Sequence, residues 1–153
     1  FKSINDSWGH EAGDRVLVEF AQLLQRSARK TDRLFRYGGE EFAALVSPAT
    51  GESLARLGEH LRSETERTLA VQDRSVTISI GAALLCEGEL PEQWFARADQ
   101  ALYRAKHQGR NQVVLDARES ITRVCPAVSS RPEDDSGQPG IPSIAGEAWR
   151  ESQ

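Results

Sequence analysis

The stretch RYGGEEF, Arg36 through Phe42, sets two glycines and two glutamates back to back in the middle of the chain. Adjacent carboxylates repel each other, so Glu40 and Glu41 are easiest to account for if something positive sits against them. The plainer reading is that the pair begins an exposed strand. Residues 33–37 (RLFRY) and 41–46 (EFAALV) are aromatic-rich or apolar runs. Between them Gly38-Gly39 suits a two-residue turn whose positive φ values cost glycine little. The spacing predicts a β-hairpin with the glutamates just beyond its turn.

Other elements must hold that hairpin. From Asp14, Val16, Leu17, Phe20, Leu23 and Leu24 recur at helical spacing, and the pattern runs out near Arg29. Leu54, Leu57, Leu61 and Leu69 mark a second amphipathic helix, and Val76, Ile78 and Ile80 alternate with Thr77 and Ser79 as a strand does. Pro91 and Glu92 open a third helix with Trp94, Phe95, Ala98, Ala101, Leu102 and Ala105 on one face. Gly109 is placed to end it, and a last strand follows at 113–115. This order predicts an α+β domain, a mainly antiparallel sheet with helices packed on it.

The 153 residues fit one domain with a real core. With 19 basic against 23 acidic residues and a net charge of -4, the chain has no general electrostatic footprint for nucleic acid or an anionic membrane. Cys86 and Cys125 lie far apart without histidine spacing, which indicates neither a zinc site nor a disulfide framework and makes a reducing, cytoplasmic setting the default. No apolar run approaches membrane-spanning length. The absence of methionine and the start at Phe1 mark the chain as a piece of a longer protein, itself free to be membrane-anchored. After about Glu119 the composition turns to Ser, Pro, Gly and Asp, so 1–119 is expected to be the domain and 120–153 a disordered tail.

Three stretches, FKSINDSWGHEAGD, RYGGEEF and ADQALYRAKHQGRNQV, resemble the most diagnostic segments of the GGDEF family, the diguanylate cyclases, in that family's order and spacing over roughly residues 1–116. The resemblance implies a palm-like, ferredoxin-like fold related to nucleotide cyclases. It also implies condensation of two GTP into cyclic di-GMP with release of two pyrophosphates across a homodimer. In that chemistry a 3′-hydroxyl attacks an α-phosphate, and the leaving pyrophosphate needs its charge offset by metal ions. By the resemblance Glu40 and Glu41 coordinate Mg²⁺, Glu40 also helps to deprotonate the hydroxyl, and Gly38 and Gly39 let the backbone approach the nucleotide.

Asn5 and Asp14 match positions that bind the guanine edge, where an amide donates and accepts and a carboxylate accepts from N1 and N2 hydrogens. The alternative for each is helix capping. Lys2, Lys106 and Arg110 match positions near the triphosphate, a task suited to point charges and a guanidinium fork; otherwise they are solvated surface cations. Arg29 and Asp32, in RKTD, resemble an inhibitory RxxD site that grips the product, or else a charged helix end. His10, with no second histidine or cysteine nearby, is read as structural at a helix start.

One family feature is expected to be missing: a first strand, with its metal-binding aspartate, just before Phe1. This piece alone is therefore expected to be inactive. The rival to a cyclase is a degenerate domain acting as a receptor for cyclic di-GMP or GTP. A pure dimerisation module would need neither Asn5 nor Asp14.

Overall fold

In a computed structural model of the chain the described residues are 2–47 and 49–116; the tail expected over 120–153 lies outside them. The chain begins with α1 (Lys2–Trp8), which breaks at Gly9 and restarts as α2 (His10–Ser27). The sequence pattern missed α1 because only Ile4 and Trp8 on it are apolar; both pack against the buried Ala12, Val16 and Val71. Ala12 and Val16, one helical turn apart, carry that contact on α2.

The hairpin forms as expected, with β1 (Arg33–Arg36) antiparallel to β2 (Phe42–Leu45). The register pairs Leu34 with Ala44 and Arg36 with Phe42, so Leu34 and Phe42 share a face. That face packs on a core of Leu23, Leu24, Leu61 and Leu69. The Phe42 ring meets Phe20 edge-on at 5.2 Å. The opposite face leaves Phe35 and Leu45 about half exposed.

Next, α3 (Gly51–Thr68) starts at Thr50, whose Oγ1 accepts from the Ser53 amide while Ser53 Oγ accepts from the Thr50 amide. The helix stops one residue short of Leu69, which is buried just beyond its end. A small hairpin that the sequence did not suggest, β3 (Ala70–Val71) with β4 (Arg74–Ser75), then turns the chain through Gln72 at positive φ.

The strand expected over 76–80 takes up pairing only at its last residue, in β5 (Ile80–Ala83). Val76, Ile78 and Ile80 do pack on the core. The alternation thus reported burial more than ladder pairing: the Val76 amide donates to the Leu69 carbonyl, extending the β3–β4 hairpin by one bond. Finally α4 (Pro91–His107) crosses β5 and leads to β6 (Val113–Asp116), which runs parallel to β5. The described β-structure is therefore three two-stranded ladders, two antiparallel and one parallel, rather than one sheet. The α+β class holds.

The contact of α4 with β5 depends on Gly81. A Cβ there would lie 2.1 Å from the Leu102 amide nitrogen and 2.3 Å from the Ala98 carbonyl oxygen, so only glycine admits the helix this close. Ala101 and Ala105 are fully buried along the same line. One expectation for α4 changes, and a residue given no role is found in the interior. Phe95, assigned to the core face, is exposed, and Arg97 is buried. The Arg97 guanidinium donates to both carboxylate oxygens of Glu89 at 2.6 and 2.7 Å, to Asp116 at 3.0 Å, and to the Leu84 carbonyl. Cys86 Sγ lies 3.5 Å away. An arginine can be buried here because carboxylates and a carbonyl replace its water.

Candidate active site

The hairpin ladder ends at Arg36 and Phe42, leaving residues 37–41 as the loop. The expected two-residue turn is not what forms. Neither Gly38 nor Gly39 has positive φ, and the turn is closed by the Tyr37 and Gly38 amides donating to the Glu41 carbonyl at 2.8 and 3.2 Å. A loop of this length does not need the two left-handed residues of a two-residue type I′ turn. The Arg36 guanidinium, which the sequence reading left without a role, donates to the Gly39 carbonyl at 2.7 Å and ties the loop to the strand.

Glu40 is exposed at the tip. Glu41 meets Lys106 at the far end of α4, Oε1 to Nζ 3.3 Å, with both side chains nearly half exposed. A second contact joins the same elements: the Tyr37 and Phe95 rings lie 5.0 Å apart at 43°. This explains the exposed Phe95, whose partner is a loop far away in sequence. Gly38, Gly39, Glu40, Glu41 and Lys106 are thus brought together.

Arg110 follows Gly109, which ends α4 at φ 113°. The Arg110 amide donates to the Ala105 carbonyl at 3.0 Å, the 6→1 bond of a Schellman ending, so Lys106 and Arg110 leave the same helix terminus. Lys2 stands at the start of α1.

The capping alternatives for Asn5 and Asp14 do not survive. Asn5 lies inside α1 and Asp14 inside α2, whose start at Gly9 has no side-chain cap. Asn5 Oδ1 is buried without a hydrogen-bond partner, a costly arrangement of about 1–3 kcal/mol for an isolated protein. Asp14 lines an open groove of about 510 Å³ between α2 and the hairpin, with Leu17, Val18, Phe35 and Arg36 among its walls; Asn5 is not part of that lining. His10 opens α2, in keeping with its structural reading.

Arg29 and Asp32 form a closed turn between α2 and β1. The Arg29 amide donates to Asp32 Oδ2 at 2.8 Å, the Asp32 amide to the Arg29 carbonyl at 3.0 Å, and the Ser47 amide to Asp32 Oδ1 at 3.4 Å. Asp32 is buried and braces the turn, and Arg29 is exposed. Both line a hollow of about 340 Å³ together with Arg56 and His60.

No group of three or more His, Cys, Asp or Glu poised for a metal occurs among the described residues. Glu40 and Glu41 are nonetheless the hard oxygen donors that Mg²⁺ takes in ones and twos when substrate phosphates complete its shell.

A family model described as "Diguanylate cyclase, GGDEF domain" matches residues 1–112. The chain belongs to the GGDEF family. Diguanylate cyclase DosC of Escherichia coli is 40% identical over 119 residues, covering 75% of this chain and 26% of DosC, so this GGDEF domain spans about a quarter of that relative's length. Among solved structures, the GGDEF domain of DgcB from Caulobacter crescentus, in complex with c-di-GMP, superposes with a TM-score of 0.70 at 34% identity, covering 74% of this chain and 70% of that one. The active GGEEF domain of a diguanylate cyclase from Vibrio cholerae gives 0.70 at 33% identity and 74% coverage of each chain. The palm-like α+β fold of the GGDEF domain follows from these likenesses.

Proposed function

We propose that this GGDEF domain condenses two GTP into cyclic di-GMP and two pyrophosphates. The observation that carries the reading is an intact Gly38-Gly39-Glu40-Glu41 loop with both carboxylates reachable from solvent and a cation, Lys106, beside them. A domain acting only as a receptor would have no use for that pair of acids, since adjacent carboxylates without a cation repel each other.

In the reaction each 3′-hydroxyl forms a new P–O bond to the partner nucleotide's α-phosphorus, the α–β bridging bond breaks, and pyrophosphate departs with the electron pair. Glu40 takes the hydroxyl proton as general base. Glu40 and Glu41 would hold a divalent cation, Mg²⁺, whose charge would offset that of the leaving pyrophosphate. Lys106 exchanges Glu41 for phosphate oxygens when substrate enters, and Arg110 and Lys2 add charge to the same triphosphate. Asp14 and Asn5 receive the guanine edge, the carboxylate accepting and the amide able to donate and accept.

One domain presents one α-phosphate, so two copies facing each other complete the reaction, and the working form is a homodimer. Product binding at Arg29, braced by Asp32, slows the enzyme from outside the site. Among the described residues no helix is long and apolar enough to cross a membrane. A cytoplasmic setting suits both the GTP supply and the free Cys86 thiol.

The test is Glu40→Gln in the full-length protein, assayed with GTP and Mg²⁺ for cyclic di-GMP. The substitution keeps the shape and removes the charge, and loss of product by a factor on the order of 10² or more is expected for a group that serves as both ligand and base. Turnover within a few fold of the unaltered protein would return Glu40 to an exposed strand start.

A further inference from the structure

The backbone after α4 is unusual at two successive residues. Arg110 has φ 61° and Asn111 φ 44°, both in the left-handed region that side chains other than glycine and, to a lesser degree, asparagine avoid. Such a pair persists only where the surroundings over-determine it. Asn111 belongs to a closed ring of hydrogen bonds with α3. Arg62 Nη1 donates to Asn111 Oδ1 at 2.9 Å and to Glu66 Oε2 at 2.6 Å, and Asn111 Nδ2 donates to Glu66 Oε1 at 2.9 Å. Glu59 holds the other side of the Arg62 guanidinium, with contacts at 2.6 and 2.8 Å.

Asparagine suits position 111 because its short amide offers one acceptor to the arginine and one donor to the glutamate. Within the ring the Arg62 side chain is 16% exposed and that of Glu66 43%. The residue immediately before Asn111 is Arg110, whose amide closes the α4 terminus.

We propose that Asn111, held by Arg62 and Glu66, is a positioning residue for the triphosphate: it fixes the left-handed kink that sets Arg110 beside Lys106. The inference rests on the phosphate role given to those cations above. Asn111 itself touches no substrate.

The experiment measures, in the full-length protein, the affinity for a non-hydrolysable GTP analogue by calorimetry and amide exchange over residues 108–112. Asn111→Asp keeps size and left-handed tolerance but turns the donor toward Glu66 into a like charge; affinity falls about tenfold, the loss expected when one charged contact is misplaced. Glu66→Gln added to Asn111→Asp supplies the missing donor from the other side and restores affinity to within about twofold, with exchange protection at Arg110 restored as well. Asn111→Gly accepts the same φ without the side chain and shows the same loss as Asn111→Asp, which guards against a folding defect peculiar to the aspartate. Combined with Arg110→Ala, Asn111→Asp adds no further loss, since the misplaced group is already gone.

Normal affinity for Asn111→Asp beside weakened binding for Arg110→Ala overturns the inference and leaves the proposed function standing. So do losses from the two that simply multiply. Normal binding for both Arg110→Ala and Lys106→Ala overturns the phosphate role itself, and the inference with it.

Discussion

The two ends of α4 carry ion pairs of opposite construction. Near its start Arg97 meets Glu89 at 2.6 Å with side-chain exposures of 7% and 8%; at its end Lys106 meets Glu41 at 3.3 Å with exposures of 46% and 47%. The first is forked, desolvated and shared with Asp116 and a backbone carbonyl. The second is a single contact in high dielectric, typically about 0–1 kcal/mol. Breaking the first leaves a charge stranded in the interior, whereas breaking the second merely returns two groups to water. A domain that must release a cation to an incoming anion keeps the weak pair at the mouth and the strong one in the frame.

The largest effect is expected at Arg97. Arg97→Ala strands Glu89 and Asp116 and is expected to cost about 3–5 kcal/mol of folding stability, read as a shift in the urea midpoint. A loss below roughly 1 kcal/mol, the scale of exposed pairs, would show that the buried cluster is no stronger than a surface one. Lys106→Ala should change stability by less than about 1 kcal/mol while weakening binding of the GTP analogue about tenfold. If it destabilised the fold as Arg97→Ala does, the two ends of α4 would not differ in kind.

The smallest effect concerns acid, at the half-exposed pairs of α3. Hydrogen bonds from Arg62 hold the Glu59 and Glu66 carboxyls below the ordinary carboxylate range, and Asn111 adds to the effect at Glu66. Groups with a lowered folded pKa stabilise fully above the unfolded value, and that contribution is lost as pH falls through the folded one. Thermal melts from about pH 7 down to about pH 3 should therefore show a modest acid limb that Arg62→Gln flattens. A limb unchanged by that substitution would place its origin elsewhere.

The hairpin, α2, α3 and α4 were readable because each announces itself locally, through Leu and Phe at helical spacing, the Pro91 start, and aromatic runs flanking two glycines. The candidate residues were readable as types in a familiar order. What escaped was anything settled by a distant partner. Phe95 counts as core by its spacing, yet its neighbour is Tyr37. Arg97 counts as surface by its charge, yet Glu89 and Asp116 wait for it in the interior. Asn111 looks like an ordinary loop residue until Arg62 and Glu66 are seen across from it. Residues 76–79 alternate as a strand would, but alternation records which side is buried and says nothing of whether a neighbour accepts the hydrogen bonds.

The hairpin loop touches α4 twice, through Tyr37 on Phe95 and Glu41 on Lys106. At the usual rise those two helix positions stand about 16 Å apart, so the side chains of Tyr37 and Glu41, whose backbones are joined across the turn, reach α4 roughly three turns apart and α4 serves that reach as a ruler. One residue inserted between Phe95 and Lys106 would swing the lysine about 100° around the axis and leave Glu41 facing a different side chain. The number of residues between these two marks is thus as much a property of the site as the acids at its tip.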